Sequence, residues 1–210
     1  MKTDTDPAAR TERARLASFA GWAALAAIAA LALAVMIGDF LIPGNDMVAD
    51  TISAMAAGRM AWIVDTGIIA YAMAFAVLAI GAAVAHPGDR RWSFGIMGLL
   101  ALALAIFLVG FRDEYGDGDA ETGEEWHTIF VYCLGALFTL VPWAMSRGAD
   151  KLRHGAGRLM RWAAGLWLIA APWFFFLPTG WDGLYERGLG VITFLFVAAL
   201  ARVLIGEGRD

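Results

Sequence analysis

"LASFAGWAALAAIAALALAVMIG", residues 16–38, is a run of 23 residues without a single charged side chain. A helix rises 1.5 Å per residue, so about 20 apolar residues cross the roughly 30 Å hydrocarbon core of a bilayer. The run follows a basic leader (Arg10, Arg13, Arg15), as a signal peptide would. It exceeds the roughly 7–15 residues of a signal-peptide core, however, and reads as a retained transmembrane helix. Pro7 and the mixed charges before Leu16 predict a short, poorly ordered tail.

Five further apolar runs follow, over residues 60–85, 92–111, 126–146, 161–177 and 184–205; the first run extends over about 16–40. The chain is 60% hydrophobic and 17% charged, which no ordinary soluble domain matches. Ala, Leu and Gly dominate the runs, and none alternates with period two as a spanning strand must. A helix in lipid satisfies its own backbone, so these runs read as helices. The expected fold is all-α, a polytopic membrane protein with six transmembrane helices in one bundle. That domain covers residues 16–206, between cytoplasmic tails at 1–15 and 207–210.

Basic residues set the orientation. Alternate connections hold 13 of the 16 Lys and Arg residues, and the opposite side has only Arg59, Arg112 and Arg187. The positive-inside rule puts both termini in the cytoplasm of a bacterial inner membrane and turns the other connections outward. Trp22, Trp92, Trp143 and Trp162 fall near the inner ends, and Trp62, Trp126, Trp173 and Trp181 near the outer ends, as interfacial belts favour. Trp167 alone is central. The bilayer is the expected partner, and nucleic acid is excluded because topology already explains the scattered basic residues.

Several chemistries are excluded as well. Both lysines, Lys2 and Lys151, lie outside the runs, so no buried Schiff base can form. His86, His127 and His154 sit on two different sides and form no HExxH pair, which removes a three-histidine zinc site. Cys133 is the only cysteine and permits no intrachain disulfide. No GxSxG elbow, P-loop or dinucleotide fingerprint occurs.

The outward side carries more polar residues than topology requires. In "GNDMVADTISAMAAGR" (44–59), Asp46, Asp50 and Ser53 share one face at helical spacing, which predicts a short interfacial helix. That face either meets water or turns inward over a pocket. Asp39 ends the first run and Asp65 lies one to two turns into the second. Carboxylates at that depth are costly unless paired or watered. They mark either a pocket or an ion pair with Arg59, Arg112 or Arg187. Asp182 offers an N-cap to the last helix, with Glu186 and Arg187 in its first turn.

"FRDEYGDGDAETGEEWH" (111–127) gathers seven carboxylates between Asp113 and Glu125. Against the helix–loop–helix calcium pattern, Asp113, Asp117, Gly118, Glu121 and Glu124 take positions 1, 5, 6, 9 and 12, while Tyr115 occupies position 3 where Asp or Asn belongs. A calcium site, diffuse cation binding and a solvated loop are all consistent with this. In the last case Thr122 and Glu125 form a capping box for the fourth helix. Calcium at this loop is the one cofactor the sequence raises. His127 follows, a candidate acid or base near neutral pH.

Three of these segments resemble those of a prokaryotic six-helix membrane family known as domain of unknown function 998. "DTISAMAAG" (50–58) is similar to its D-x-I-S-x-L-x-x-G element, with Met55 where Leu is usual. "GFRDEYGD…EEWH" resembles its phenylalanine-and-acid motif with a following histidine, with Arg112 where proline is frequent. "GLYERGLG" (183–190) resembles its G-L-x-[EQ]-R opening of the last helix. The resemblance implies a six-helix bundle with polar residues at one face, and no known reaction.

Two readings of function follow. One is a noncatalytic ligand-binding, sensory or accessory subunit with an outward polar pocket for a small molecule or lipid, drawing on Asp39, Asp46, Ser53, Arg59, Arg112, Glu186 and Arg187. The other is an enzyme acting on a lipid headgroup or amphiphile through Asp50, Asp65 and His127, with a cation at Asp113 and Glu124. Convergence of Ser53, Asp65, His127 and Glu186 in one concave site would favour the enzyme.

Overall fold

The computed structural model describes residues 7–56, 60–111, 120–178 and 180–206, with backbone alone at 111 and 120–127. Its helices are α1 (Pro7–Leu41), α2 (Ile52–Met55), α3 (Trp62–Val84), α4 (Arg90–Phe111), α5 (Ala120–Leu152), α6 (Ala156–Trp173) and α7 (Asp182–Gly206). All but α2 are long and apolar enough to cross a membrane. The protein is therefore a multi-pass membrane protein, six spans in one helical bundle.

Two helix ends differ from expectation. The basic leader is no loose tail from Pro7 onward, because α1 begins there. Proline is preorganised for the first helical position, and the Ala, Arg and Glu that follow are strong helix formers. Likewise α5 is already helical at Ala120, so Thr122 lies inside the helix and not at its N-cap position. Ala120 and Glu121 carry the helix past the residue that would otherwise stop it.

The six spans form a closed ring. Each packs on its neighbour in sequence, α1 on α3, then α4, α5, α6 and α7, and α7 returns to pack on α1. Small residues bring α1 close to both its neighbours: Ala17, Ala20, Gly21, Ala24, Ala27, Ala34 and Gly38 are its buried positions. At Gly67 of α3 an added Cβ would lie 2.7 Å from Ala34 Cβ, so that crossing tolerates no side chain. Large apolar residues such as Phe19, Met97 and Ile169 stay exposed outside, where lipid tails meet them.

Inside the ring the two ends differ. Toward the termini the centre is solid, filled by Trp92, Leu78, Met145, Met160, Leu200 and Leu204. The Trp92 indole donates to the Ala82 carbonyl at 2.8 Å. The connections at this end are tied by polar contacts: Arg161 to Asp150 at 3.1 Å, Lys151 to Asp89 at 3.5 Å, and Arg153 donating to the Arg202 carbonyl at 2.8 Å. Midway, edge-to-face and tilted rings run Phe194, Tyr71, Phe75, Phe138, Trp167, with centroids 5.0–5.7 Å apart. Beyond this plug, toward the end opposite the termini, the ring is hollow.

Candidate functional site

At the hollow end the first connection is fastened to the last helix. Asp39, near the end of α1, pairs with Arg187 of α7, with side chains 6% and 13% exposed. Arg187 Nη2 and Nε donate to the two carboxylate oxygens, the second at 3.2 Å. Its Nη1 donates to the Asp50 carbonyl at 2.9 Å and the Gly183 carbonyl at 2.8 Å. Asn45 adds a donor to Asp39 at 3.2 Å. A buried charge pair is tolerated when its remaining donors and acceptors are met, and here the guanidinium fork is directed at four oxygens.

The connection itself is built from local hydrogen bonds. Asp46 Oδ1 accepts from the Val48 amide at 2.9 Å, and Asp50 Oδ2 accepts from the Asp46 amide at 2.7 Å. The carboxylates thereby close a turn. The single helical turn α2 comes next, capped by Thr51, whose hydroxyl accepts from the Ala54 amide at 3.0 Å. Among the described residues the expected short interfacial helix is confined to this one turn and does not include Asp46 and Asp50, for a physical reason: short acidic side chains compete for nearby amides and favour turns.

Three further ties dock this turn on α7. Glu186 accepts from the Ile52 amide, and the Leu184 amide donates to the Val48 carbonyl at 3.1 Å. At Gly183 a Cβ would fall 2.2 Å from the Asp50 oxygen, so only glycine admits this approach. Two segments about 130 residues apart in sequence thus form one clasp.

Beneath the clasp lies a cavity of about 320 Å³. Thr51, Ile52 and Ser53 line its polar end together with Glu186 and Thr128. Aliphatic residues of α1, α3, α4, α5 and α7 form most of the wall, and Tyr71, Phe138, Trp167 and Phe194 the far end. Tyr71 donates to Thr193 Oγ1 at 2.9 Å, and that hydroxyl donates to the Gly190 carbonyl at 2.8 Å. The Trp167 indole donates to the Gly135 carbonyl at 2.9 Å. Phe174 and Phe175, in the 3-10 turn that ends α6, complete one side, and Phe175 lies 5.3 Å from the Tyr132 ring.

The structure separates the candidate residues. Ser53 and Glu186 meet in the cavity lining. Asp39 and Arg187 pair with each other, and Asp46 and Asp50 hold the turn. Asp65, half-buried in the first turn of α3, is not part of the described lining. Arg59, Arg112, Asp113 and Asp117 lie outside the described residues, as do the side chains of Glu121, Glu124 and His127. Among the described residues no three of His, Cys, Asp or Glu are grouped to hold a metal ion. Sequence reasoning missed Tyr71, Thr128 and Thr193 as lining residues. Polar groups deep within apolar runs were the available signal, and the central Trp167 was a second one.

Fold and site together define a six-span membrane protein with a clasped, mostly apolar cavity at one end. The family model described as "Protein of unknown function (DUF998)" matches residues 24–203, and the chain belongs to that family. Neither a curated protein nor a solved structure matches it.

Proposed function

We propose that the protein is a noncatalytic ligand-binding membrane subunit that takes a small lipophilic molecule into the cavity beneath the clasp. The cavity carries this reading. Its volume falls at the lower end of the roughly 300–1,000 Å³ of small-molecule sites, with an apolar wall and a few polar groups gathered at one end. We further propose that both termini are cytoplasmic and the cavity opens on the outer side, because 13 of the 16 basic residues belong to the terminal side. Of the residues in the acid–base alternative, Asp50 closes a turn, Asp65 is not among the described lining residues, and the His127 side chain lies outside the described residues.

Gly190 supplies the test. It lines the cavity, and a Cβ there meets nothing within 4 Å. Gly190→Phe should fill the space without disturbing the helices. Protein purified in mild detergent and extracted for mass spectrometry should release an amphiphile from wild type that the variant lacks, at equal folded yield. Identical extracts from both proteins would refute the reading.

A further inference from the structure

At the terminal end of the ring, far from the cavity, several cations meet no acid. Among the described residues this end carries three acids, Glu12, Asp89 and Asp150. Lys151 takes Asp89, and Asp150 is taken by Arg161 and the Gly157 amide. Arg15, Arg90, Arg147 and Arg158 are exposed, and among the described residues their side chains have no carboxylate or carbonyl partner.

These four stand on four different helices and share one arrangement. Each lies four residues from an exposed aromatic side chain of its own helix: Arg15 with Phe19, Arg90 with Phe94, Arg147 with Trp143, and Arg158 with Trp162. Residues four apart occupy one helix face. In every pair the arginine is nearer the terminal end and the aromatic nearer the middle, although α5 runs opposite to α1, α4 and α6. The shared feature is therefore depth. Orientation needs only the number of basic residues in a connection, and sets no fixed offset from an aromatic ring.

That offset matches a membrane interface. Four residues rise about 6 Å, and the layer between the hydrocarbon core and water is about 5–8 Å thick on each side. A ring at the inner edge of this layer sets the guanidinium among the headgroups. Guanidinium pairs with phosphate through two parallel hydrogen bonds. A lipid with net negative charge adds an attraction that a zwitterionic one lacks. Nucleic acid or an acidic protein would meet the charges, but not the rings one turn further into the membrane.

We infer that the terminal end is a collar for anionic phospholipid. Arg15, Arg90, Arg147 and Arg158 hold headgroup phosphates, and the four aromatic rings lie against the first carbons of the chains. The collar selects a phosphatidylglycerol-like lipid over a zwitterionic one from the leaflet at that end.

Bromine quenching tests the selection. The full-length protein is reconstituted in phosphatidylcholine bilayers containing either phosphatidylglycerol or phosphatidylcholine brominated near the carbonyl end of the chains. The Trp143 and Trp162 signal is taken as wild type minus the Trp143→Phe, Trp162→Phe double variant. Brominated phosphatidylglycerol should quench that signal at a mole fraction about fivefold or more lower, the worth of one well-placed arginine. The double variant Arg147→Gln, Arg158→Gln should bring the two lipids close to equal, and Arg147→Lys, Arg158→Lys should keep most of the preference. Both arginines are exposed, so these variants should fold. Equal quenching of wild type by the two lipids would overturn the collar. So would a preference that survives the glutamine variant, or one that the lysine variant loses as completely. Occupancy of the cavity does not enter this readout, so the inference stands or falls apart from the ligand-binding reading.

Discussion

The same substitution at two positions of α7 should change stability in opposite directions. Gly190→Ala replaces a helix-interior glycine whose added Cβ meets nothing within 4 Å. Alanine is better there by about 0.8–1 kcal/mol through helix propensity. With no overpacking to offset it, the expected gain is about 1 kcal/mol, or roughly 2–4 °C for a chain of this size. Gly183→Ala puts a Cβ 2.2 Å from the Asp50 oxygen and 2.9 Å from Arg187 Nη1. Overpacking costs about 1–3 kcal/mol, and loss of the Arg187 bond to Asp50 adds about 1 kcal/mol. Even after the propensity gain, the net loss should be about 2 kcal/mol, or several degrees. Tryptophan fluorescence in one detergent at one scan rate gives the two apparent Tm values, which unfolding of a membrane protein ties to heating rate. Shifts of the same sign would refute the reasoning. A fall for Gly190→Ala would mean that the cavity is closed at α7, and a rise for Gly183→Ala that the clasp is loose.

Other outcomes are equally specific. Asp39→Asn leaves the buried Arg187 charge half-compensated and should cost about 3 kcal/mol, more than Asp46→Asn, which alters only an exposed turn; urea or SDS titration of both variants checks the order. At the terminal end, the Arg91 amide hydrogen bond, with help from Lys151, holds the Asp89 carboxyl below its usual range. A lowered folded pKa contributes stability above the ordinary carboxylate pKa and loses it as pH falls through the folded value. Wild type should therefore lose more Tm than Asp89→Asn between neutral and strongly acidic pH, and parallel curves would contradict this. In a Cys133→Ser background, Ala120→Cys should react with an impermeant maleimide added to intact cells. Labelling only after lysis would reverse the proposed orientation.

The spans were legible because each is a local property. Twenty uncharged apolar residues commit to a helix in lipid whatever lies elsewhere in the chain. The helix ends were less so, since at Pro7 and Ala120 ordinary helix propensity carried the backbone past the first polar residues. For the site, sequence offered Asp39, Ser53, Glu186 and Arg187 as pocket candidates; in the structure Ser53 and Glu186 line the cavity, whereas Asp39 and Arg187 pair with each other. It could not reveal that Asp39 and Arg187 are partners 148 residues apart, because that pairing depends on α7 returning to α1. Helical spacing also misled at Asp46 and Asp50, where side-chain capping of the backbone overrode the 3.6-residue period. The cavity left only indirect traces, in Tyr71 and Thr193 within otherwise apolar stretches.

The closure of the ring by its last helix has a consequence for biogenesis. Spans enter the membrane in order of synthesis, so Asp39 is in place long before Arg187 has been made. During that interval its carboxylate must stay hydrated at the interface, and the first connection has nothing to dock against. Arrival of α7 supplies the counter-charge, the glycine contact and the seal against α1 together. A chain truncated before residue 182 would keep five greasy spans and an uncompensated acid at their edge, a form that a membrane protease can distinguish from the finished protein.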